Sequence, residues 1–279
     1  MSTVLIVAGA IFWLAPWSLE EKSQAALHGL CAQRPSHSFI LGDRILPFDA
    51  RMTGIYGGFL VTTLFLALRH RFCSFKLPPR RVIALLTLFV GAMAVDGSNS
   101  LLLDLGLGHP YHPRNSLRLL TGLLTGIALA ALICFLISST LWRRGRVDLA
   151  PLQGPRELGF VVLLQVPFAA AVLSGAPALY VPMVILLLSS AVLVVAAIVL
   201  VVVVLIQGRE GTFDSLLSLQ RPAAIALILA LTVMAAISGG RALLEEATRS
   251  QPLLSLRADT EHCCDTLNVT LALPEVSIF

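Results

Sequence analysis

The sequence predicts an all-α, polytopic membrane protein of about seven transmembrane helices. Three observations point there. Of 279 residues, 57% are hydrophobic and only 13% are charged, about half the charged share of an ordinary soluble domain. The apolar residues fall in separate runs of the roughly 20 residues that a bilayer-crossing helix needs, because in lipid the backbone must satisfy its own hydrogen bonds. Most of the basic residues lie in short loops between those runs, where they set topology. The net charge of +4 therefore gives no reason to expect a nucleic-acid partner.

The expected spans run in order. The first is residues 3–18, "TVLIVAGAIFWLAPWS"; it lacks a basic leader region and an A-x-A cleavage site, so it reads as an anchor and not a signal peptide. The others are 53–70, 82–104, 117–141, 158–175, 178–206 and 223–239, with Pro167, Pro177 and Pro182 kinking or bounding the fifth and sixth. The loop at 69–81 carries five Lys/Arg and the loop at 142–157 carries four; with Arg209 and Arg221 in the loop at 207–222, these are expected inside. That puts the N-terminus inside, and the polar loop 19–52, residues 105–116 and the tail outside. The chain divides into a membrane core at 1–141, an added three-span region at 142–239 and an outer tail at 240–279. The tail reads as a short helix followed by a β-prone segment, "LNVTLALPEVSIF", packed on the outer loops.

Asp96 is the sharpest single residue. About 14 residues into the third span, it lies roughly 21 Å from the inner boundary at 1.5 Å per residue, within the hydrocarbon. An ionised group at that depth is costly and takes a partner. Arg51 precedes the second span and Arg118 opens the fourth, so either is expected to reach it; Asn99 and Ser100 follow on the same helix face. Gly54 and Gly58 in the second span, and Gly122 and Gly126 in the fourth, have the four-residue spacing that lets helix backbones approach. These two spans are expected to touch. His28, His37, His109, His112, His262, Cys31, Cys263 and Cys264 all fall on the expected outer side, yet no complete metal signature is present. A disulfide from Cys31 to the tail is the competing reading.

The stretch "CAQRPSHSFILGDRILPFDARMTGIYGGF" resembles the signature of the prokaryotic domain-of-unknown-function 2085 membrane family: Cys-His-Gln-Arg-Pro, then Ser-Phe and a Gly, then Cys-Ala-Arg-Cys-Thr-Gly-Ile-Tyr. A second block matches at Asp96, Gly97, Asn115, Arg118, Thr121 and Gly122. The resemblance covers about 28–130, and a polar outer-leaflet cluster of Asp96, Asn99, Arg51, Arg118, Asn115 and Tyr56 is expected. It also marks departures. Ala32, Asp49 and Met52 stand where the pattern has His, Cys and Cys. Only Cys31 of four soft donors remains, so no metal is expected there; Cys31, His28, His37, Asp49, His262, Cys263 and Cys264 are incomplete candidates. No catalytic residue and no cofactor is expected.

The leading expectation is a non-enzymatic scaffold, assembly or accessory subunit in the cell membrane, its partners being the bilayer and other membrane-complex subunits. The alternative is an enzyme or transporter using the Asp/Arg site on a lipid-soluble or anionic substrate. A second alternative is a haem-, pigment- or metal-binding protein.

Overall fold

Burial of apolar helix faces against each other, with apolar residues also turned outward, organises the molecule. A computed structural model describes residues 14, 16–108, 110–143, 147–215 and 217–270, with side chains described as far as 248. The expected first span, 3–18, lies almost wholly outside the described residues. Among the described residues six helical segments are long and apolar enough to cross a membrane.

The chain enters through α1 (Leu19–Leu27), started by a reciprocal cap in which Ser18 Oγ accepts from the Glu21 amide at 3.2 Å and Glu21 Oε2 accepts from the Ser18 amide at 2.8 Å. A short antiparallel hairpin follows, β1 (Ser38–Leu41) and β2 (Arg44–Asp49), pairing Ile40 with Ile45 and Leu41 with Arg44. The sequence reading had no strand here. Its signal was "FILGDRIL", two β-prone runs about a Gly-Asp turn. Gly42 takes a positive φ of 68°, as the first position of a tight hairpin turn requires. Leu41, Leu46 and Phe48 are buried beneath the hairpin.

The spans are α2 (Ala50–Leu68), α3 (Arg80–Asp104), α4 (Asn115–Leu141), a kinked pair α5 (Pro155–Leu164) and α6 (Val166–Leu173), α7 (Tyr180–Ile206) and α8 (Gln220–Thr270). The kink falls at Gln165, two residues before Pro167, whose missing N–H interrupts the helical ladder. Pro177 opens a 3₁₀ turn before α7, and Pro182 sits in the first turn of α7, where the lost donor is harmless. The expected β-prone tail is corrected in part. The helix α8 continues through residues 267–270, since a lone strand there has no partner to complete its hydrogen bonds; residues 271–279 lie outside the described set.

The three basic loops gather at one end. Arg71 Nη2 bonds Glu157 Oε1 at 3.1 Å, Trp142 Nε1 donates to the Phe72 carbonyl at 2.6 Å, and Trp142 bridges to Phe213. The hairpin, residues 105–114 and the turn at 174–176 gather at the other, with the Gly42 amide donating to the Gly175 carbonyl at 2.9 Å and Arg34 paired to Asp104 at 2.6 Å.

The closest packing is between α2 and α4. A Cβ on Gly122 would fall 3.0 Å from Gly54 Cα, one on Gly54 2.8 Å from the Leu123 amide nitrogen, and one on Gly126 2.6 Å from the Phe59 amide nitrogen; a Cβ on Gly58 would strike the Leu123 carbonyl. Backbone meets backbone, with no space for a side chain. By contrast, α3 packs mainly on α4 and leaves Leu88, Val95 and Leu101 exposed to lipid, and Gly91 on it has open space around it. Substituting Gly122→Val should therefore lower the thermal midpoint in mild detergent by the equivalent of about 1–3 kcal/mol of overpacking, whereas Gly91→Ala should match wild type or exceed it. Equal effects at the two positions would show that helix propensity, and not close approach, governs both.

Candidate functional site

A capped helix start places the principal cation. Asp49 ends β2 and caps α2, its Oδ1 accepting from the Met52 amide at 2.9 Å. Arg51 thus occupies the first turn of α2, facing α3. Its Nη2 donates to Asp96 Oδ2 at 2.6 Å and to Ser100 Oγ at 3.3 Å. The Tyr111 hydroxyl donates to Asp96 Oδ1 at 3.1 Å, and Ser100 Oγ donates to the Asp96 carbonyl at 2.9 Å. Asn99 Nδ2 donates to the Tyr111 carbonyl at 2.8 Å, holding the loop that carries the tyrosine. Asp96 is 1% exposed and Asn99 2%, while the Arg51 side chain is 25% exposed, so the carboxylate end of the pair is the shielded one. The Arg51 Nε is buried without a hydrogen-bond partner.

Of the two arginines the sequence offered, Arg51 takes Asp96. Arg118, also buried, donates instead through Nη1 to Asn115 Oδ1 at 3.0 Å; Asn115 Nδ2 in turn reaches the Ser36 carbonyl at 3.3 Å and the Ser38 carbonyl at 3.5 Å. Arg118 is thereby tied to the hairpin and not to α3. Tyr56 is not in the cluster, a correction to the expected grouping. Five residues from Arg51 on one helix, it lies about 140° around the axis and stacks on Phe48 with ring centroids 4.7 Å apart, while its carbonyl accepts from Ser190 Oγ at 2.7 Å. Tyr111 is the member that sequence reasoning missed. It lies in "HPYHP", where no periodicity marks the tyrosine.

The incomplete metal candidates do not converge. The Cys31 sulfur is buried and accepts from the Gln33 and Asp49 amides, each at 3.4 Å. Burial first, and then the Asp49 carboxylate, pushes its thiol pKa up, so it stays protonated. His37 lies toward Arg118; burial and then that cation push its pKa down. Met52 packs against the apolar core. Among the described residues no three His, Cys, Asp or Glu side chains are grouped to hold a metal ion.

His28 belongs to a second polar knot that joins α8, around residues 238–245, to the first loop. Its Nδ1 meets Gln33 Oε1 at 3.1 Å and its Nε2 meets Glu245 Oε2 at 3.2 Å. Arg241 donates to the carbonyls of His28 and Cys31 and pairs with Glu245 at 2.8 Å, and Ser238 Oγ accepts from the Gly29 amide at 2.9 Å. Beside the knot a cleft of about 450 Å³ is lined in part by Ala32, His28 and Gln24. The side chains of His262, Cys263 and Cys264 lie outside the described set, but their place along α8 is clear. The helix is continuous past Glu245, which puts residue 262 about 25 Å farther along it. The expected disulfide from Cys31 to the tail involves Cys263 and Cys264, whose side chains lie outside the described residues; among the described residues Cys31 is a free thiol.

Removing the Asp96 carboxylate leaves the Arg51 charge partly buried and without its ion-pair partner. Asp96→Ala should cost about 3–5 kcal/mol of stability and Tyr111→Phe about 1 kcal/mol. Pairing Asp96→Leu with Arg51→Met should recover most of the loss, because no charge is left without a partner. Wild-type thermal stability for Asp96→Ala in detergent would show the pair to be energetically idle.

Residues 31–132 match the model of a family described as a predicted membrane protein, DUF2085. The resemblance drawn from the two sequence blocks is thus shown across both of them. No curated protein and no solved structure matches the chain.

Proposed function

With residues 31–132 as a DUF2085 segment, we propose that this chain is a non-enzymatic membrane subunit, a scaffold, assembly or accessory component in the plasma membrane of a prokaryotic cell. The observation that carries the reading is saturation. Apart from the Arg51 Nε, the polar groups around Asp96, Asp49 and Cys31 already have structural tasks. Asp96 holds Arg51 and Tyr111, Asp49 caps α2, and the Cys31 sulfur accepts two backbone amides. A substrate would have to break an ion pair whose carboxylate is almost fully buried. The length of α8 supports the same reading: it runs unbroken over 51 residues, Gln220–Thr270, where about 20 cross a bilayer, and a helix that reaches past the bilayer offers another subunit a surface.

The enzyme-or-transporter alternative needs Arg51 or Asp96 released, and no metal is proposed at Cys31, Asp49 and Met52. One purification tests these together. The full chain, taken from its native membrane in mild detergent without chelator, should carry a stoichiometric protein partner and substoichiometric zinc, copper and iron. A partner-free preparation with one tightly bound metal, lost in Cys31→Ser, would overturn the reading.

The proposed orientation places the basic loops inside, following the positive-inside rule. Cysteines introduced at exposed positions test it, Ile40→Cys in the hairpin and Leu77→Cys in the first basic loop. An impermeant thiol reagent on intact spheroplasts should label the first and spare the second. The reverse pattern would invert the topology.

A further inference from the structure

Where α3 ends, the loop 105–114 and the first turns of α4 enclose a groove of about 510 Å³ lined by Tyr111, His112, Arg114, Ser116, Leu117 and Leu120. It lies outside the buried Arg51–Asp96 pair, joined to it only through Tyr111. Its one charged side chain of fixed sign is Arg114, which is exposed. Among the described residues no carboxylate lies within ion-pair distance of it. The nearby acids are committed, Asp104 to Arg34 at 2.6 Å and Asp96 to Arg51 at 2.6 Å. Arg118, one turn farther along α4 and likewise without a carboxylate in ion-pair reach, adds to the local positive field.

Below the guanidinium the wall is apolar. Leu117 is half-buried, and Leu120 is 51% exposed on the lipid side of α4. The level is that of the membrane surface, since the candidate span begins at Asn115. A cation and a hydroxyl at the edge of the hydrocarbon, above an apolar channel running inward, reproduce the layout of a phospholipid: phosphate first, acyl chain next. A small soluble anion would have no use for the leucine wall, and a neutral lipid none for the unpaired charge.

We propose that this groove holds one anionic phospholipid, its phosphate on the Arg114 guanidinium and the Ser116 hydroxyl and its upper acyl chain along Leu117 and Leu120. The lipid would brace the 105–114 loop, whose Tyr111 is a ligand of the buried carboxylate.

The full chain reconstituted into nanodiscs of phosphatidylcholine with phosphatidylglycerol, then released for native mass spectrometry, tests this. One phosphatidylglycerol should be retained about fivefold in preference to phosphatidylcholine, the worth of one surface arginine. Arg114→Gln should abolish that preference with an unchanged melting profile in phosphatidylcholine alone. Arg143→Gln, an exposed arginine at the opposite end, should leave it intact. Equal retention of the two lipids, or equal loss in both variants, would overturn the site. Displacement of the lipid by millimolar inorganic phosphate would assign the groove to a free anion and overturn the lipid.

Discussion

The backbone contact between α2 and α4 is the constraint on which the rest depends. Two helices approach this closely only where neither carries a side chain at the crossing, and Gly54, Gly58, Gly122 and Gly126 meet that condition. The contact fixes the rotation of α2 about its axis. Arg51 is thereby aimed at α3, and Tyr56 at the hairpin and α7. With α2 and α4 locked, α3 is attached by two ion pairs, Arg34–Asp104 at its end and Arg51–Asp96 within the span. The Arg51–Asp96 bond lies near the end where α3 is otherwise mostly exposed to lipid.

The region beyond residue 142 is not a separate body. The ring of Phe168 lies so close to Gly57 that a Cβ there would collide with it, Gln165 donates to Thr62 Oγ1 at 3.1 Å, and Ser190 bonds the Tyr56 carbonyl. Each contact lands on α2, so the glycine-rich helix is covered by α4 on one side and by α6 and α7 on others. The outer part of α8 then caps the carbonyls at the end of α1 through Arg241. The 31–132 segment that carries the family match is therefore held in place by parts of the chain outside it.

A buried ion pair is weak evidence of net stability, because its desolvation cost offsets much of the attraction. Its effect here is better seen as specificity. In lipid, helices gain little hydrophobic free energy by touching one another, and a single charge pair with a tyrosine and two hydroxyl or amide side chains around it selects one rotation of α3 among many apolar ones. Arg71 with Glu157 repeats the device at the opposite end, where residues read for topology turn out to join two loops.

The spans and the polar residues that needed partners were legible in the sequence, because both follow from one-dimensional facts: apolar run length, the cost of a charge in hydrocarbon, and the spacing of small residues. Asp96 and its arginine partners were visible for that reason, and so were the four glycines. What the sequence left open was choice among neighbours. It offered Arg51 and Arg118 equally, and only the rotation of α2 against α3, with Arg118 tied to Asn115, decided between them. Tyr111 was hidden because its hydroxyl finds Asp96 across a loop, a contact with no periodicity. Tyr56 was misplaced because a sequence block groups residues that a helix then turns to different faces. The hairpin had a local signal in its Gly-Asp turn, but its seat against the turn at Gly175, like the grip of Arg241 on the end of α1, joins residues more than 100 positions apart, and such contacts exist only once the chain has packed.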